Sequence, residues 1–178
     1  MKIVKITDAS QIPSEYTDTP IAELIEYQNL GKELHTCHSA RLLIGMCMDN
    51  RKQLRIPENF AYILRTGGAN LRNSEFKVSY AIAIGEAKHI ALIAHNNCGM
   101  VNLASKKAQF IQGLCKNAGW SRERAEEHFM NYAPMFEIDN EAEFVVAEAK
   151  RLVDKYPGIM VVPLYYSLDD NLLSLILD

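Results

Sequence analysis

The chain has 178 residues, 48% of them hydrophobic and 23% charged, with a formal net charge of −3. Such values belong to a single globular domain large enough to bury a core without disulfides, and they exclude a disordered, fibrous or repeat protein. The nineteen Lys and Arg residues are scattered rather than gathered into a stripe, so nucleic acid is not an expected partner.

Met1 to Ser10 carries no apolar leader core, and no apolar run reaches the roughly 18 residues needed to span a bilayer. A cytoplasmic, membrane-independent protein is expected, with Cys37, Cys47, Cys98 and Cys115 kept reduced for metal or catalysis rather than paired.

Thr19-Pro20 opens the first helical pattern, with Ile21, Leu24, Ile25 and Leu34 on one face and Gly31 as a possible interruption. It forms a helical arm over about residues 18–35 that could pack on a partner subunit. Four short apolar runs follow: RLLIGMCM from Arg41, FAYIL from Phe60, IALIA from Ile90 and IMVVPL from Ile159. Nearly continuous runs bounded by Gly, Asn, Asp or Pro suit strands buried on both faces, as in a parallel sheet. Between the second and third, Asn73 or Ser74 can cap a helix on which Phe76, Tyr80 and Ile84 recur at four-residue spacing. Ala104 to Met135 holds one or two helices, with Gly119 and Pro134 as breaks. Asn140 and Glu143 form a capping-box pattern that opens a helix to about Tyr156, stopped by Pro157-Gly158. The β-α-β-α-β alternation predicts one α/β domain over 1–178, with a central, mostly parallel sheet of four to five strands flanked by helices.

Chemistry concentrates in two segments, Cys47-Met48-Asp49-Asn50-Arg51 and His95-Asn96-Asn97-Cys98-Gly99. Cys47 falls at the carboxyl end of one predicted strand and His95 directly follows another, the crevice where ligands of open α/β sheets collect. Two thiolates and an imidazole are a three-ligand set for zinc, with copper(I) the lesser fit, and they leave a fourth tetrahedral position open. Inert buried thiols are the bland alternative. Asp49 can ligate the metal and close the site, or pair with Arg51 and leave it open. Backbone N–H groups around Gly67, Gly68 and Gly99 are candidate donors to the sulfurs, because glycine lets the chain approach closely.

The six positions Cys47, Asp49, Arg51, His95, Cys98 and Gly99 resemble the signature of the β-class carbonic anhydrases, Cys-x-Asp-x-Arg followed by His-x-x-Cys-Gly. The resemblance covers about residues 41–103, with a weaker echo over 161–173 in Leu164-Tyr165-Tyr166. It implies a zinc enzyme that reversibly hydrates carbon dioxide to bicarbonate through zinc-bound hydroxide, with Cys47, His95 and Cys98 as ligands. It also implies Asp49 and Arg51 as the catalytic dyad, and a homodimer or larger assembly.

The sequence departs from that pattern at Asn50, where serine is usual, at Asn96, where threonine is usual, and at Thr66-Gly67, where Asn-Ala is common. The connection from Arg51 to Phe60 is also short. The ligands survive these changes and the pocket walls do not, which keeps two further readings open. One is hydrolysis of carbon disulfide or carbonyl sulfide at the same zinc. The other is a noncatalytic zinc- or bicarbonate-binding protein with Asp49 fixed on the metal.

Elsewhere, His35, Cys37 and His38 cluster in sequence without sharing a face. Cys115 reads as a small core residue, His89 as packing or surface, and His128 as solvated. Gly67-Gly68 lacks the residues that would complete a phosphate loop.

Overall fold

The computed structural model describes residues 1–34 and 37–177. His35, weighed above as a ligand, therefore lies outside the described residues, as does Asp178. Six strands form one sheet: β1 (Lys2–Lys5), β2 (Leu42–Cys47), β3 (Ala61–Thr66), β4 (His89–His95), β5 (Met160–Tyr166) and β6 (Leu173–Leu177), in the order β1-β6-β5-β4-β2-β3. β3, β2, β4 and β5 run parallel, while β6 pairs antiparallel with β5 and β1 antiparallel with β6. The four parallel strands are the four apolar runs. β1 and β6 go beyond the predicted four to five strands. β1 is only four residues between lysines, and β6 follows β5 too closely to stand out as a separate run.

Alternation along the strands sends two sets of side chains to two cores. On one face Leu42, Ile44, Met46, Ile93 and Leu164 pack with Ile21, Leu24 and Ile25 of α1 (Pro20–Ile25). On the other, Leu43, Ile90 and Leu92 meet α2 (Glu75–Ala83) and α5 (Glu141–Lys155) through Val78, Ala81, Val145 and Leu152. Each such aliphatic side chain contributes on the order of 1.5–3 kcal/mol of burial, which fixes the strand ends that carry the site.

Three expectations change. The apolar face of α1 lies against its own sheet rather than reaching for a partner. The helix continues through a widened turn, Glu26–Leu30, that Gly31 ends in the left-handed region (φ 69°). In α2 the Phe76, Tyr80 and Ile84 stripe is exposed (80, 53 and 67%), and the smaller Val78–Ala81 face is buried. Glu75, at the start of that helix, is ion-paired to Arg151 and Lys155 of α5, which turns the narrow face to the sheet. β3 has a neighbour on one side only, and Tyr62 and Ile63 are exposed rather than buried on both faces.

Gly119 (φ 68°) separates α3 (Lys107–Ala118) from α4 (Arg122–Phe136), whereas Pro134 sits inside the last turn of α4 without breaking it. Cys115 is half-buried on α3, outside the core. Asn140 caps α5, its side-chain oxygen accepting from the N–H of Ala142 (2.9 Å) and Glu143 (3.0 Å). From that helix the fully buried Glu148 accepts from the Leu71 N–H at 3.2 Å and from both Arg72 and Arg151, anchoring the loop that leaves β3. A buried carboxylate is tolerated there because donors surround it.

Candidate metal centre

β2 ends at Cys47, and the adjacent β4 ends at His95, level with Tyr166 of β5. After His95 the chain turns sharply, with Asn97 in the left-handed region (φ 55°), and returns Cys98 to the same spot. Three hydrogen bonds hold that turn. The Asn96 side chain accepts from the Leu168 N–H at 2.7 Å and donates to Asp169 at 3.3 Å, and the Cys98 N–H donates to Oε1 of Glu141 at 3.1 Å. Glu141 opens α5, which packs on the sheet, and Leu168 and Asp169 lie in the connection between β5 and β6, so the turn is tied to both.

The ligand atoms of Cys47, His95 and Cys98 lie within 4.8 Å of one another, and all three residues are buried. The two sulfurs are 3.8 Å apart, far beyond a disulfide bond. Two sulfurs each about 2.3 Å from a tetrahedral ion would stand about 3.8 Å apart. The Nδ1 of His95 lies 2.9 Å from the Asn96 carbonyl oxygen. Donating there fixes the tautomer and leaves the lone pair on Nε2, which is buried without a hydrogen-bond partner. A buried ring nitrogen left bare is rare and costly. An ion among the three atoms would satisfy it, so the donor set fits a metal.

The charges agree. A hydrogen bond from Cys98 holds the Cys47 thiol well below its usual value, helped by the N–H groups of Asp49 and Gly68. The same contact and burial push Cys98 up, although the Met100 N–H opposes this. Two thiolates at this separation repel each other, so ionising both needs a cation between the sulfurs. Lys52 lies beneath, nearly buried, donating to the Cys47 carbonyl at 2.9 Å, and burial lowers its pKa.

Asp49 stands beside this cluster, its Oδ2 3.9 Å from His95 Nε2. Arg51 donates to both carboxylate oxygens through Nε (3.0 and 3.1 Å), to Oδ2 through Nη2 (2.6 Å) and to Oδ1 through its backbone N–H (2.9 Å). The guanidinium holds Asp49 well below the usual carboxylate range. Arg51 also donates to the Asn97 carbonyl at 2.8 Å, tying the two motifs together.

No family model and no curated protein matches the chain. Solved structures do. The β-carbonic anhydrase isoform I of Trichomonas vaginalis superposes with a TM-score of 0.65 at 15% identity, over 89% of this chain and 94% of its own. The carbonic anhydrase of Glaciozyma antarctica gives 0.61 at 16% over 91% and 98%, and a carbon disulfide hydrolase in its apo form gives 0.54 at 20% over 90% and 90%. The chain has the β-carbonic anhydrase fold.

Within the β-carbonic anhydrase fold of this chain, Gly68 (φ 62°) supplies a donor to Cys47. Gly67 lies against Met100 so closely that a Cβ would meet its sulfur at 2.8 Å, and Gly99 is exposed with its carbonyl accepting from Lys106 at 2.6 Å. Glu141, Lys52 and the Met100 N–H escaped the sequence reading. Glu141 is 43 residues from Cys98, and nothing local announces the pairing. His38 is exposed and His89 half-buried at the start of β4. His128, expected in solvent, instead packs between aromatic rings. Among the described residues no helix is long and apolar enough to cross a membrane.

Proposed function

We propose that the chain is a β-carbonic anhydrase that holds one zinc ion on Cys47, His95 and Cys98 and interconverts carbon dioxide and bicarbonate. The observation that carries this reading is the bare, buried Nε2 of His95 facing two sulfurs at tetrahedral spacing. Bound there, zinc supplies a Lewis acid that makes hydroxide available near neutral pH. The residues do the rest. Arg51 occupies both oxygens of Asp49, which supports a carboxylate held off the metal over one that closes the fourth position. Ionised through the neutral range, Asp49 accepts a hydrogen bond from the reacting water, and Arg51 orients it. The N–H groups of Asp49, Gly68 and Met100 draw charge from the sulfurs, which favours the Lewis acidity of the site.

Purified protein is expected to carry about one zinc per chain and to hydrate carbon dioxide in a stopped-flow pH-indicator assay. Zinc-loaded protein inactive above pH 8 would remove the activity. A second reading keeps the same metal site and changes the electrophile to carbon disulfide or carbonyl sulfide. It is favoured by the likeness to a solved carbon disulfide hydrolase. Sulfide release faster than carbon dioxide turnover decides for it.

We also infer a homodimer in the cytoplasm. The second copy sits on the open edge of β3 and the outer stripe of α2, where Tyr62, Ile63, Phe76, Tyr80 and Ile84 are exposed together. Light scattering on Phe76→Ser should show a shift toward monomer, and an unchanged mass would exclude this surface.

A further inference from the structure

Beside the candidate metal centre, the α3–α4 hairpin closes with the segments that follow β2 and β3 around a groove of about 320 Å³. Its walls are Met48, Gly67, Met100, Phe110, Phe129 and Phe136. Phe110 meets Phe129 edge-on at 5.2 Å, so the hairpin presents a firm aromatic wall rather than loose side chains. No carboxylate, lysine or arginine is among the described residues lining it.

We infer that this groove is a binding site for a small neutral apolar molecule, of the size of a substituted aromatic ring. Three observations carry the inference. Large apolar side chains converge on a concavity while remaining partly hydrated: Met48 is 66% exposed, Phe110 39% and Tyr132 49%. Covering them removes apolar area from water, and a charged ligand would find no carboxylate, lysine or arginine to pair with.

The size is also diagnostic. An apolar cavity of about 150 Å³ already holds benzene, and pockets for small molecules start near 300 Å³. A triatomic molecule would rattle in this volume, whereas a helix of a partner, about 10–12 Å across with its side chains, would not enter. Finally, the groove shares a wall with the metal shell. Met48 follows Cys47 in the chain, and Met100 packs against the cluster of Cys47, Cys98 and Ile138 while resting on the bare Cα of Gly67. The unbranched thioethers of these methionines adapt to ligands of different outline.

His128 gives the site a reporter. It lines the groove, lies 4.7 Å from the ring of Tyr132, and meets Trp120, the single tryptophan, edge-on at 5.2 Å. Occupancy is therefore expected to change tryptophan emission.

The test is a titration of the purified 178-residue chain with 4-fluorotoluene, followed by 19F NMR and tryptophan fluorescence. Saturable binding below the solubility of the probe is expected. Ala133→Phe, which fills the groove from α4, should weaken it at least tenfold, and Phe110→Lys, which sets a charge at the half-open mouth, should do the same. Phe76→Ser, on the separate apolar face of α2, should leave it unchanged. No saturation by the wild-type chain, equal loss in Phe76→Ser, or unaltered binding in both groove variants would overturn the inference. So would a fall to half mass in Ala133→Phe, which would assign the groove to a second copy. The outcome does not depend on zinc content or turnover.

Discussion

β4 and β3 are spelled almost alike, IALIA and FAYIL, yet they live in different surroundings. β4 has β2 on one side and β5 on the other, with packing on both faces, and its residues from Ile90 to His95 are all buried. β3 pairs with β2 alone and leaves Tyr62 and Ile63 to solvent. An apolar run therefore specifies a strand without specifying how many neighbours it has, because neighbours come from the order in which crossovers lay strands down. The difference matters for chemistry. The imidazole and, through its turn, one sulfur hang from the strand held on both sides.

The strongest way to break the comparison is at the metal. Cys98→Ser, at the end of β4, is expected to lower zinc from about one per chain to under about a tenth, because the ligand set contributes to the stability of the bound state. Carbon dioxide hydration should vanish with it, and elemental analysis with the indicator assay checks both.

Next comes packing. Ile93→Ala in β4 should cost about 2–5 kcal/mol in urea unfolding, whereas Ile63→Ala in β3, made in the Phe76→Ser background that opens the proposed pair, should stay within about 0.5 kcal/mol. Equal losses would mean that the β3 edge is covered in solution.

Arg51→Ala leaves the three ligands in place and frees Asp49. Activity should fall about 10–100-fold with zinc retained, the size typical of residues that orient a metal site. The same pair gives a pH test in metal-free protein. The carboxyl of Asp49 is depressed in the folded state, so its pairing stabilises the fold above the unfolded pKa of about 3.9 and is lost as pH falls through the lower folded value. The stability gap between wild type and Arg51→Ala should therefore be full at pH 6 and narrow below pH 4. A constant gap would mean that Arg51 acts through packing.

The smallest effect is at the end of β3. Thr66, level with Cys47, buries its hydroxyl without a hydrogen-bond partner. Thr66→Val should leave stability unchanged or raise it by about 1 kcal/mol, and a loss would mean that the hydroxyl has a partner in solution.

The convergence of Cys47, His95 and Cys98 was legible because a zinc site would demand these residue types at short spacing, Cys47 at one strand end and His95 with Cys98 at another. β2 and β4 were legible because burial on both faces removes polar residues from them. The orientation of α2 was not. Phe76, Tyr80 and Ile84 make the more hydrophobic stripe, but the ion pairs of Glu75 with α5 fix the roll of the helix, and these join residues 76 and 80 positions apart. Glu141 was hidden for the same reason. β1 and β6 were missed because their pairing joins the two far ends of the sequence, Lys2 against Leu177.

β1 offers a margin of only four residues, with lysine at both ends and Lys5 drawn to Asp170. Lysine on a short outer strand discourages further strands from adding there. The sheet thus has one guarded side and one open side, and two copies meeting along β3 would turn only guarded sides outward. Growth would halt at a closed pair, so the molecule can present an adhesive margin without polymerising into a fibre.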